Sequence, residues 1–358
     1  MKIENISNSQ GRSLMIMFIL GTSLLLGGSP ETMESSWISI LLAMAMAIPL
    51  AFIYGKLMHI FPGLGFFDIL HKTYGRILGK IFILIYTFYF FHLGAICIRN
   101  ITEYVRVVSL HQTPQYVVAI LIGILAIYAV NAGFSVLATW TKIVLPIIVL
   151  MLFTTFVLGI PQFNYSYIKP ILYNGWKPII SGGYSLLTFP FAETVIFMVF
   201  LGFINKNNKD NTKIYISSIL ISGFLFLITF FRNTLLLGFP NINNIYFPSH
   251  YATAIINIPD FIQRIEIFIS INLLLTSFIK ITICLYASSL GIIKLFNLKK
   301  INNVPLFLCA LMILISSFLF RSTMEMIRFI KFYKYYVIPF QFVFPILTLT
   351  VGLIRKRA

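Results

Sequence analysis

Residues Tyr184 to Met198 read YSLLTFPFAETVIFM, an apolar run carrying Pro190 and, three residues later, Glu193. With its flanks from Pro178 to Phe203 the run is long enough to cross a bilayer, for which about 20 residues suffice. Proline at mid-span removes a backbone donor and clashes with the preceding turn, so a helix must break or kink there. Backbone groups freed at membrane depth are tolerated only against protein partners or a cavity. A carboxylate at that depth is costly and marks a functional site by default. The stretch predicts one wall of a polar pocket at mid-membrane.

The rest of the chain agrees with a membrane reading. Of 358 residues, 59% are apolar and only 10% charged, against about 25% charged in soluble domains. A net charge of +17 would suggest nucleic acid in a soluble protein. Here the basic residues fall mostly between apolar spans, where cytoplasmic loops carry them, so no nucleic-acid partner is expected. Cys97, Cys284 and Cys309 all lie inside apolar spans, which argues against a disulfide framework. The five histidines are scattered, and no metal-ligand spacing, phosphate loop or nucleophile elbow occurs. Neither an enzyme nor a cofactor is expected. The first span lacks a small-residue cleavage site, so it is expected to remain as a membrane helix.

Ten apolar segments can be read, at 12–29, 36–55, 78–105, 115–131, 140–160, 178–203, 213–237, 261–293, 304–321 and 336–354. An even number puts both termini on one side. Alternate connections hold sixteen and eight Lys plus Arg, and the richer side is predicted to be cytoplasmic, termini included. Span 1 is interrupted at Gly21-Thr22-Ser23 and again at Gly27-Gly28-Ser29-Pro30; span 6 is interrupted at Thr188-Phe189-Pro190. Interrupted first members of two five-span sets are the pattern of inverted-repeat transporters. The chain is therefore predicted to be all-α: one ten-helix transmembrane domain, 1–358, built from a repeat over 1–160 and a second over 178–354, with helices 1 and 6 broken.

Several stretches also resemble a known family. They are Ile6-Ser7-Asn8-Ser9-Gln10, Gly21-Thr22-Ser23, Gln112-Thr113-Pro114, Lys169-Pro170-Ile171-Leu172, Gly175-Trp176-Lys177-Pro178 and Phe189-Pro190-Phe191-Ala192-Glu193. In order and spacing they are similar to the endospore germination permease family, the B subunits of bacterial spore germinant receptors within the amino acid–polyamine–organocation superfamily. The resemblance implies a site for small germinants such as amino acids. It also implies partner A and C subunits and a place in the spore inner membrane. Tyr89, Leu93 and Cys284 are pocket-wall candidates on the resemblance, whereas spacing alone makes them packing residues.

Other candidates follow from charge and backbone. Gly21, Thr22 and Ser23 offer free amides and hydroxyls where span 1 unwinds, suited to a ligand carboxylate; close helix packing by small residues is the alternative. Phe189, Pro190 and Glu193 form the facing wall. Glu193 is open to a ligand ammonium, to a proton, or to a permanent pair with Lys280 or Arg232. Lys280 is the deepest cation in the chain. It could hold a ligand carboxylate, stand in for a coupling cation, or pair with Glu193. Arg99 and Glu103, at i and i+4, are expected to form a structural or gating pair, and Arg232 an ion pair near the end of span 7. Tyr333, Lys334, Tyr335 and Tyr336 with Arg328 and Lys331 read as a basic and aromatic anchor at the headgroups, with a docking surface for a partner as the alternative.

Overall fold

The chain enters its first helix through a reciprocal cap. The Ser7 hydroxyl accepts from the Gln10 backbone N–H, and the Gln10 side chain accepts from the Ser7 N–H at 2.9 Å, an arrangement that satisfies two orphan donors at once. The Gln10 amide then donates to Thr139 at 2.7 Å, tying the start of the chain to the fifth crossing. The computed structural model describes residues 6–25, 28–29, 31–202, 211–256, 264–298 and 303–357, and the fold is all-α. Gly27 and Pro30 lie outside the described residues.

In order the helices are α1 (Asn8–Leu20), α2 (Ser36–Ile60), α3 (Phe66–Val108), α4 (Gln115–Ala132), α5 (Phe134–Gly159), α6 (Trp176–Leu186) and α7 (Met198–Leu201). They continue with α8 (Asn211–Leu237), α9 (Phe239–Ile242), α10 (Pro248–Ile255), α11 (Glu266–Phe296), α12 (Val304–Phe318), α13 (Thr323–Tyr336) and α14 (Phe344–Arg357). Eight stretches among the described residues are long and apolar enough to cross a membrane. The two further crossings are α1, cut short at Gly21 and continued by a 3-10 turn over Thr22–Leu25, and α12, of 15 residues. The sixth crossing runs from α6 through a π turn (Leu187–Phe191) and a 3-10 turn (Ala192–Phe197) into α7. Alternation leaves the start of α1 and the end of α14 on one face of the bundle, the terminal face, and the 160–175 and 238–256 connections on the other, the loop face.

Two crossings differ from expectation. The third begins at Phe66 and is 43 residues long, with a break at Gly75 (φ 79°, ψ −169°) that separates its first turns from the span. The tenth begins at Thr323, well before residue 336, and is interrupted by a π turn over Pro339–Val343. The charges on α13 hide it from a hydropathy reading, although Tyr333 and Lys334 face inward and are buried.

The centre of the bundle is the pairing of α3 with α11, the most extensive helix contact in the fold. Close approach there depends on Gly291, where an added Cβ would overlap Thr87 Oγ1. Thr87 cannot swing away freely, since its hydroxyl donates to the Ile83 carbonyl at 2.6 Å. Small residues at helix contacts are the usual means of close packing inside a membrane. Gly291→Val is therefore expected to destabilise the protein by about 1–3 kcal/mol through overpacking. The check is a lower unfolding midpoint in detergent; an unchanged midpoint would show that the contact yields.

Candidate functional site

The two helix breaks meet the middle of α11. α1 stops at Gly21 (φ −11°, ψ −112°), and the Ser23 hydroxyl lies 2.7 Å from the Ile19 carbonyl and 2.9 Å from that of Leu20, so the acceptors left by the break are satisfied locally. A Cβ on Gly21 would fall 2.7 Å from Lys280 Cδ and 2.9 Å from the Phe18 carbonyl; glycine is what lets the lysine stem pass. In the sixth crossing Phe189 leaves helical geometry (φ −139°, ψ 112°). The freed Thr188 carbonyl accepts from Gln341 Nε2 at 3.0 Å, and the same nitrogen lies 3.0 Å from Tyr89 Oη.

Lys280 and Glu193 pair across this junction at 2.5 Å, both fully buried. Lys280 Nζ is also 3.4 Å from Thr22 Oγ1 and lies over two rings, 5.1 Å from the centroid of Phe18 and 4.7 Å from that of Phe189. The second carboxylate oxygen of Glu193 accepts from Tyr333 Oη, a short hydrogen bond from α13. Isolated charges at this depth would be intolerable, and the pair survives because each partner is neutralised and further hydrogen-bonded.

A cavity of about 60 Å³ opens beside the pair. Thr22, Leu93, Phe189, Glu193 and Tyr333 are among its walls, with Met326 and Ile330 of α13 opposite the α3 face. The remaining candidates lie elsewhere. Lys280 is covered by its partners and does not reach the cavity, and Gly21, Ser23 and Pro190 form the backbone scaffold behind it. Tyr89, expected as a wall, stacks on Phe340 (centroids 4.5 Å, 9° between planes) one layer nearer the terminal face. Cys284 is buried where α11 meets Gly94 of α3, as its spacing alone suggests.

The outlying charges divide. Arg99 and Glu103 pair at 3.2 Å as expected. Glu103 also gathers Arg106 at 2.6 Å, Gln115 and, at 2.5 Å, Thr323 of α13. Arg232 does not form the ion pair expected of it among the described residues. It is buried and held by neutral oxygens, Thr155 Oγ1 at 2.8 Å and Asn233 Oδ1 at 2.8 Å. The headgroup anchor is also corrected in part. Tyr333 lines the cavity, and Lys334 pairs with Glu31 at 3.0 Å and donates to Ser181 at 3.2 Å. Burial lifts the Glu31 carboxyl, but hydrogen bonds from Ser181 and Lys334 and the nearby Lys331 charge outweigh it and hold it below the usual carboxylate range. The sequence reading places Tyr333 at the headgroups, and does not single out Gln341 or Asn100. An amide inside an apolar span is the signal that would have found the last two.

This geometry, with two broken helices meeting a buried charge pair at the middle of a ten-crossing bundle, defines a transporter fold. A solved transporter of the nucleobase-cation-symport-1 family, in a closed conformation with bromovinylhydantoin bound, superposes on 98% of this chain and 78% of its own, with a TM-score of 0.65 and 13% identity. The family described as spore germination protein matches residues 5–325. Spore germination protein KB of Bacillus subtilis (strain 168) is 26% identical over 364 residues, covering 100% of this chain and 97% of that protein. Spore germination protein YndE of the same strain is 23% identical over 304 residues, covering 84% and 83%. Spore germination protein XB of Bacillus anthracis is 28% identical over 200 residues, covering 54% and 52%. The chain belongs to the spore germination permease family, a class of integral membrane permeases rather than of enzymes.

Removing one member of the buried pair leaves an uncompensated charge, at a cost of about 3–5 kcal/mol. Lys280→Met alone is expected to lower the unfolding midpoint sharply, and the double variant with Glu193→Gln to recover most of the loss. Additive losses in a double-mutant cycle would show that the two side chains are not coupled.

Proposed function

We propose that this chain is the germinant-sensing subunit of a spore germination receptor, binding a small amino-acid-like ligand between the broken helices. The observation that carries the reading is the buried Lys280–Glu193 pair beside a cavity. A zwitterion can insert into such a pair without a net change of charge. Its ammonium replaces Lys280 on Glu193, and its carboxylate meets Lys280, Thr22 and the helix end at Gly21. A cavity of about 60 Å³ favours a small ligand over a nucleoside.

In this reading binding stabilises one conformation, because the ligand interacts differently with the open and closed arrangements. The bias passes to partner A and C subunits in the spore inner membrane, with both termini in the cytoplasm. The halves 1–160 and 178–354 act as the two repeats that move against each other. Gly21, Thr22, Ser23, Phe189, Pro190, Glu193 and Lys280 form or frame the site. A second reading, secondary transport of an amino acid with proton or cation coupling, is favoured by the likeness to a solved transporter.

Thermal unfolding of the purified protein across amino acids, nucleosides and sugars tests the proposal. A true ligand at a hundredfold excess over its dissociation constant stabilises by about 2.7 kcal/mol, and Glu193→Gln is expected to abolish the shift. No shift with any compound in well-folded protein would count against ligand sensing by this chain alone. Uptake of the same compound into proteoliposomes would decide for transport.

A further inference from the structure

The α3 wall of the cavity is made by Leu93, Ile96, Cys97 and Asn100, spaced i, i+3, i+4 and i+7 and so on one helix face. At 1.5 Å per residue this face extends about 10 Å along α3. Its first three residues are apolar or nearly so, and its last is a carboxamide. Asn100 is only partly covered and has no hydrogen-bond partner among the described residues, although its neighbour Arg99 is engaged by Glu103 and Gln115. Tyr246, from the loop-face connection, lines the same cavity and is 42% exposed, which places this end of the cavity at its mouth. Among the described residues Glu193 is the one carboxylate or base on the walls.

We propose that Asn100 is a specificity-determining residue that reads an uncharged polar group, a hydroxyl or carboxamide, on the side chain of the ligand whose ammonium meets Glu193. The inference rests on the binding site proposed above and names the class of ligand it selects. A carboxamide offers two donors and an acceptor, and all are unspent here. A ligand that closes the mouth with an aliphatic group strips water from Asn100 and returns no hydrogen bond. A ligand with a hydroxyl or amide returns it. Among the described residues lining the mouth there is no counter-charge for an acidic or basic side chain, so charged ligands are disfavoured as well.

Near-isosteric ligand pairs isolate the effect: L-asparagine against L-leucine, and L-threonine against L-valine. Apparent affinities come from thermal shift titrations of the wild type, Asn100→Leu and Asn100→Gln. In the wild type the polar member of each pair is expected to bind about tenfold tighter, the scale of one unmade hydrogen bond at a desolvated group. Asn100→Leu should reverse or level the preference, and Asn100→Gln should keep it. The ligand-free midpoint reports folding of each variant, and the ratio within one variant does not depend on its stability. A wild type that prefers the aliphatic member, or a ratio unchanged by Asn100→Leu, overturns the assignment and leaves the binding site standing. Absence of a shift with all four amino acids overturns both.

Discussion

The structure depends on a charge that has nowhere else to go. Lys280 sits in the middle of α11, where an unpaired ammonium could not persist, and the surrounding architecture converges on it. Gly21 lets its stem pass, Thr22 and two aromatic rings surround its head, and the break at Phe189 presents Glu193 to neutralise it. Both helix interruptions thus serve the same electrostatic requirement. A continuous helix in either position would carry its backbone groups in hydrogen bonds to itself and would fill the space where the pair lies.

Around that pair the bundle is unequal in thickness. Toward the terminal face lie several layers of aromatic side chains, with Tyr89 stacked on Phe340, Tyr86 against Phe66 and Phe344, and Tyr54 against Tyr215. The tyrosines are tied to the tenth crossing, Tyr54 to the Gln341 carbonyl at 2.6 Å and Tyr86 to the Phe340 carbonyl at 2.9 Å. Toward the loop face the cover is one helix, α13, and the connection carrying Tyr246 and Phe247. The cavity lies on the thin side.

Much of this was legible in the sequence, because membrane physics writes itself in long runs. The crossings, the interruptions at Gly21 and Pro190, and the Arg99–Glu103 pair follow from hydropathy, backbone chemistry and helical spacing. What spacing could not give was which side chains meet across distant segments. Lys280 had three open roles, and only the packing of α11 against the broken crossings selects its pairing with Glu193. Tyr333 and Lys334 were misread because a charged, aromatic helix end looks alike whether it faces headgroups or turns inward. Arg232 was misread because burial among neutral oxygens leaves no mark on the residue type. The amides Asn100 and Gln341 carried a signal, a polar group in an apolar run, that weighs less than a charge and was passed over.

Tyr333 and Lys334 are consecutive residues, yet they are bound to different parts of the molecule. Tyr333 donates to Glu193 after the sixth-crossing break, and Lys334 to Glu31, between the first and second crossings. At the far end of the same helix Thr323 donates to Glu103 of α3. Successive helical side chains point about 100° apart, so rolling α13 about its own axis moves both C-terminal attachments together. The helix is thus pinned along its length, to α3 through Thr323 and Tyr336 and to the sixth crossing and the 25–35 connection through Tyr333 and Lys334.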